Sequence, residues 1–84
     1  MKYLVELKHI SNDNYEMPSH LEKFEVNSNG MDETIKATTA TLKKHILDKD
    51  DYHIEAGFDY ENYAEISFGD ANTGLDVCYT IRKY

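Results

Sequence analysis

Polar and apolar positions alternate along most of this chain, and one stretch departs from that rhythm into a helical period. Lys2 to Ile10 reads as a strand, with Tyr3, Val5 and Leu7 on one parity and Leu4, Glu6 and Lys8 on the other. From Ser11 to His20 the composition turns to Asn, Asp, Ser and the single proline, Pro18, which predicts a loop. A second strand follows over Glu22 to Ser28, with Phe24 and Val26 inward and Lys23, Glu25 and Asn27 outward. Asn27-Ser28-Asn29-Gly30 then breaks the strand and offers side chains that cap a helix. Met31, Ile35, Leu42 and Ile46 share one stripe with Thr38 and Thr39, which predicts an amphipathic helix over Met31 to Leu47. Asp32 and Glu33 at its start, and Lys43, Lys44 and His45 near its end, suit the helix dipole. Its threonines lower intrinsic helicity, so the helix should depend on docking against a sheet.

Three more strands are expected after the acidic turn Asp48-Lys49-Asp50-Asp51. The first sets Tyr52, Ile54, Ala56 and Phe58 against His53, Glu55, Gly57 and Asp59. The second sets Ala64, Ile66 and Phe68 against Tyr63, Glu65 and Ser67, and the third sets Leu75, Val77, Tyr79 and Ile81 against Asp76, Cys78, Thr80 and Arg82. Turns are expected at Asp59-Tyr60-Glu61-Asn62 and over Gly69 to Gly74. Clean alternation marks an antiparallel sheet with one covered and one wet face. The predicted fold is therefore α+β, in the order β-β-α-β-β-β: one domain over residues 1–84, with a single helix packed on one face of an antiparallel sheet of about five strands. Its core should comprise Val5, Leu7, Phe24, Val26, Ile35, Leu42, Ile46, Ile54, Phe58, Ile66, Phe68, Leu75, Val77 and Ile81. Strand order is not derivable from the pattern.

Charge changes this picture from a fold into a candidate surface. Of a net −7, residues 48–76 hold nine acids against the single base Lys49, whereas residues 1–47 hold seven acids and six bases. A field concentrated in this way governs partner choice and association rate rather than fold. Phosphate contact needs Lys and Arg, so direct nucleic-acid binding is disfavoured. No apolar run approaches the ~20 residues of a membrane helix. Met1-Lys2-Tyr3-Leu4-Val5-Glu6 carries an acid where a signal peptide would be apolar, and it reads as a first strand. One cysteine, Cys78, excludes an intramolecular disulfide and suits a reducing, cytoplasmic setting.

Motifs for chemistry are sparse. Asp48, Asp50 and Asp51 start like a calcium loop, but Glu55, Ala56 and Gly57 fall out of register for one. His9, His20, His45 and His53 sit on different elements without zinc-ligand spacing, so no metal or other cofactor is expected. Glu55 and Glu65 could face each other on neighbouring strands, yet a chain this short has little material for a catalytic cleft, and an outward acidic ladder is the plainer reading. Cys78 lacks a nucleophile signature. An enzymatic role would call for a cavity of several hundred Å3 lined by Cys78 and a histidine.

The outward face of the last three strands combines carboxylates with tyrosines, a mixture that suits a protein interface. Asp50, Asp51, Glu55, Asp59, Glu61, Glu65 and Asp76 are the expected charge donors, with Tyr60 and Tyr63 as contact residues. A strand opening at Met1-Lys2-Tyr3-Leu4-Val5-Glu6, then Phe24-Glu25-Val26 leading to a helix with the small residues Ala37 and Ala40, resembles in architecture and charge the small phage-encoded anti-CRISPR proteins. The resemblance implies a non-enzymatic inhibitor whose carboxylates occupy a basic, nucleic-acid-binding surface on a protein such as a CRISPR-Cas effector. Immunity proteins that neutralise a nuclease toxin share the outline. A self-associating module, forming a homodimer through an edge strand or the wet face, is a third class.

Overall fold

The computed structural model describes residues 1–11, 16–44, 52–56, 61–70 and 75–84, with backbone alone for 52–56, 70 and 75. Strands β1 (Lys2–Ile10), β2 (Lys23–Asn27), β3 (Tyr52–Ala56), β4 (Tyr63–Asp70) and β5 (Leu75–Lys83) form one sheet in the order β2-β1-β5-β4-β3. Every neighbouring pair is antiparallel. Helix α1 (Ser19–Glu22) precedes β2, and α2 (Met31–Lys43) lies between β2 and β3, the two edge strands. The architecture is α+β, and the chain order gains a helical turn, α1, over the single helix expected.

That extra turn lies inside the predicted loop and delays β2 to Lys23. Leu21 N–H donates to the Pro18 carbonyl at 2.9 Å, and the Leu21 side chain is buried. Its carbonyl, the kind of group a four-residue helix leaves unpaired, accepts the buried Tyr79 hydroxyl at 2.7 Å. A helix this short has no hydrophobic period to detect. Packing and one hydrogen bond from β5 hold it in place.

Inner-face side chains form rows across the strands. One runs Phe24, Val5, Ile81, Ala64, and the next runs Leu7, Tyr79, Ile66. Tyr79 meets Phe24 and Phe68 edge-on, with ring centroids 6.3 and 6.1 Å apart, a favourable quadrupole geometry. Of the expected core, Val5, Ile35, Leu42, Ile66, Phe68, Val77 and Ile81 are buried, while Leu7, Phe24 and Val26 are only partly covered. The side chains of Ile46, Ile54, Phe58 and Leu75 lie outside the described residues. Among the described residues Tyr3, Met17, Leu21, Met31, Ala64 and Tyr79 complete the buried hydrophobic set.

Two β-bulges break the predicted alternation. Leu7 lies opposite Tyr79 but His9 lies opposite Cys78, so Lys8 is the extra residue and Ile10 turns inward opposite Val77. On β3, Ile54 lies opposite Ile66 and Ala56 opposite Glu65, so Glu55 is the extra residue there. The expected pairing of Glu55 with Glu65 is thus replaced by Ala56 with Glu65. Gly69 and Asp70, expected in a turn, instead extend β4 opposite Asp76 and Leu75.

Helix α2 is described to Lys43, and the expected continuation to Leu47 falls outside the described residues. No side-chain hydrogen bond caps the helix start; the bonds there tie the residues before it, Gly30 N–H donating to Ser28 Oγ at 3.3 Å and Asn29 N–H to Glu33 Oε2 at 3.1 Å. Thr34, Thr38, Thr39 and Thr41 each return their hydroxyl to the carbonyl four residues earlier, at 2.8–2.9 Å. This satisfies Thr34, Thr38 and Thr39, which are buried on the apolar stripe. Among the described residues no buried side-chain polar atom lacks a partner.

Candidate protein-docking face

The sheet's outer face is uncovered by any described element, and its side chains are half-buried or exposed. Registers fix its rows: Glu25, Leu4, Arg82 and Tyr63 form one; Lys23, Glu6, Thr80 and Glu65 the next; His9, Cys78 and Ser67 the third. The strand order lays β4 and β3, which carry Glu65, Asp70 and Glu55 of the acidic segment, to one side of β5 and sets β1 and β2 on the other.

Charge pairing crosses that division. Lys8, displaced by its bulge, reaches over β5 to Glu65 on β4, with Nζ 2.5 Å from Oε1. The same oxygen accepts the Tyr63 hydroxyl at 3.1 Å. Hydrogen bonds from Lys8 and then Tyr63 hold the Glu65 carboxyl below its ordinary range. The bond to Glu65 raises the Lys8 ammonium, while desolvation first and its own hydrogen bond to Glu65 second raise the Tyr63 phenol. Arg82 Nη2 donates to Glu6 Oε1 at 3.4 Å, a second pairing across β1 and β5. The centre of the face is therefore locally neutralised, and the expected ladder of unpaired acids is interrupted at Glu65.

Other candidates spread outward from this centre. Asp76, exposed, stands opposite Gly69 at one end of β5, and a Cβ added at Gly69 would lie 2.7 Å from its Oδ1. Ser11 binds the Asp76 backbone in both directions, its Oγ accepting from Asp76 N–H and its own N–H donating to Asp76 O, each at 2.9 Å. Glu61, also exposed, precedes β4 beyond the other end of β5, and its carbonyl accepts the Tyr3 hydroxyl at 3.5 Å. Glu61 and Asp76 are thus separated by most of the length of β5, on the order of 20 Å at strand rise. Asp50, Asp51, Asp59 and Tyr60 lie outside the described residues, and Glu55 is described by its backbone register alone.

Two cavities bear on chemistry. One of about 360 Å3 opens on the outer face, lined by Lys8, His9, Glu65, Ser67, Asp76 and Cys78 among others. The Lys8 bulge creates it by turning His9 onto the strand position opposite Cys78, which plain alternation would not do. The larger, about 530 Å3, lies at the start of α2 between Tyr3, Glu33, Glu61 and Lys83. Two of the donors around it are taken, since Asn29 N–H binds Glu33 and the Met1 ammonium binds the Ser28 carbonyl at 3.0 Å. Among the described residues no group of three or more His, Cys, Asp or Glu side chains could hold a metal ion, and no helix is long and apolar enough to cross a membrane.

No family model matches the chain, and no curated protein or solved structure matches it either. The outer face is consequently read from its own geometry.

Proposed function

We propose that this protein is a non-enzymatic inhibitor that docks on a basic, nucleic-acid-binding surface of a defence or nucleic-acid-processing protein, in the manner of anti-CRISPR proteins. The observation that carries this reading is where the acidic segment enters the sheet: residues 48–76, with nine acids and one base, supply β3 and β4 to one side of β5 and the first two residues of β5 itself, in a sheet whose outer face no described element covers. Glu65 acts there as an organiser, since its paired carboxylate holds Tyr63 along the face. Asp76 supplies exposed charge at one rim, and Asp50, Asp51, Glu55, Asp59, Tyr60 and Glu61 belong to the same acidic segment. A neutral, partly apolar centre with charged edges is the usual anatomy of a protein interface. Steering by the acids makes capture fast and salt-sensitive. An immunity protein for a nuclease would use the same face, and a toxin gene beside this one would identify that case.

The test is affinity capture from the native host with the wild type and with Glu55→Lys/Asp76→Lys, which leaves the Lys8–Glu65 pair intact. Wild type should hold a nucleic-acid-binding protein at low salt and release it at high salt or to competing nucleic acid, while the double reversal holds none. Equal retention by both proteins would defeat the reading.

One observation favours a second reading, thiol chemistry: Cys78 and His9 are cross-strand partners that share the 360 Å3 cavity. His9 would then serve as base for the Cys78 thiol. Iodoacetamide should alkylate Cys78 faster than free cysteine and slow to the free rate in His9→Gln; a wild-type rate at or below that of free cysteine rejects it.

A further inference from the structure

We propose that β2 is a self-association edge: two copies of this chain pair antiparallel through Lys23–Glu25, about a two-fold axis at Phe24, and join their sheets. Strand β2 ends the sheet, so among the described residues one side of its backbone has no strand beside it. The hydrogen-bond phase says which groups point outward. Met1 and Ser28 exchange both backbone bonds, N–H to O at 3.0 Å in each direction. Bonded pairs alternate from there along an antiparallel ladder, at Val26 and Phe24, which leaves Lys23, Glu25 and Asn27 to present their N–H and C=O groups at the open edge.

Burial marks the same edge. In the inner row Phe24, Val5, Ile81, Ala64, the last three are 0% exposed, and only Phe24 is partly covered. Val26 is likewise partly covered beside Tyr3, which is 1% exposed. A strand added in register with Phe24 would extend its row by one position and cover that side chain.

Charge then selects the register. Inner side chains meet inner side chains only when the axis passes through a residue position. An axis at Glu25 sets that carboxylate opposite its own copy, which is destabilising. An axis at Val26 sets Glu25 opposite Asn27, without charge complementarity. An axis at Phe24 sets Lys23 opposite Glu25 of the second copy twice over, in hydrogen-bonded positions, with the Phe24 rings adjacent at the centre. This is the self-complementarity that an isologous contact requires. Both side chains are exposed, and Lys23 has no ion-pair partner among the described residues. The bond Glu25 accepts is from the Tyr84 hydroxyl, a neutral group that leaves its charge uncompensated. Long-range repulsion between two chains of net −7 is screened at about 0.15 M salt, where the Debye length is about 8 Å, while contact pairs persist. The outer face of β4 and β5 stays open in this dimer, so the inference stands apart from the docking function.

Sedimentation equilibrium at that salt tests it, with circular dichroism confirming that each variant is folded. Wild type should show a concentration-dependent mass approaching twice the 9.8 kDa monomer. Lys23→Glu and Glu25→Lys should each weaken the dimer at least about tenfold, since each opposes like charges twice. An equimolar mixture of the two single variants should recover association, because every cross-strand pair is then Glu against Lys, and the double exchange K23E/E25K should dimerise like wild type. A wild type that stays monomeric up to about 1 mM, the weakest range of measurable association, overturns the proposal. So does a dimer indifferent to both reversals, or a mixture that remains monomeric.

Discussion

The two faces of this sheet meet the same problem, side chains crowded between strands, with opposite means. On the inner face Tyr79, Phe68, Ile66 and Ile81 are fully buried, and its buried hydroxyls reach backbone carbonyls. On the outer face the neutralisation is by charge, Lys8 with Glu65 and Arg82 with Glu6. The inner solution excludes water and has one geometry; the outer one stays wet, and solvent weakens each of its pairs. Stability should therefore reside on one face, leaving the other free to vary its residues for recognition.

The most damaging challenge to this contrast is Tyr79→Ala. It removes the ring that joins Phe24, Phe68 and α1, and should cost on the order of 4 kcal/mol in urea unfolding, a large part of the stability of a domain of this size. Tyr79→Phe keeps the ring but orphans the Leu21 carbonyl, and should cost about 1–2 kcal/mol by the same measurement. Thr38→Val should stay within about 1 kcal/mol of wild type, because the Thr34 carbonyl it abandons is still offered its helical partner.

Outer-face changes should be smaller. Gly69→Ala pushes the Asp76 carboxylate, a mobile exposed group, while restricting the unfolded chain; with Asp76→Ala added, stability should rise by about 0.5 kcal/mol. A larger loss would mean that the outer face packs as tightly as the inner one.

The last prediction concerns protons. Glu65 is held low in the fold, so its contribution is present above its unfolded pKa and is lost as pH falls through the folded value. Lys8→Met should return the Glu65 carboxyl toward its ordinary range in a carbon-detected NMR titration. Tyr63, raised in the fold, works in the opposite sense: its contribution is present below the unfolded phenol pKa and is lost as pH rises through the folded one. A Glu65 titration unmoved by Lys8→Met would remove the ion pair from the outer face's account.

Several parts of this arrangement were legible beforehand. Alternation located β1, β4 and β5, and the stripe of Met31, Ile35, Thr38 and Leu42 located α2, because local periods survive folding wherever one face is buried. Tyr3 and Tyr79 were on the inward parity but outside the expected core, and the structure buries both. The carbonyls of Glu61 and Leu21, which accept their hydroxyls, come from residues 58 positions away in sequence. Helix α1 was hidden because four residues hold no period, and the bulges at Lys8 and Glu55 because an inserted residue leaves composition unchanged.

The linear chain by itself determined its strands, its main helix, its charge imbalance and the alternation of covered and wet positions along β2, β4 and β5, all set by neighbours a few residues apart. The tertiary structure decided that β1 and β5 lie side by side, that Lys8 reaches Glu65, that His9 stands opposite Cys78, and that β2 forms an edge. Those relations join residues far apart in sequence, and their free energy depends on closing long loops and on shared registers that no local pattern encodes.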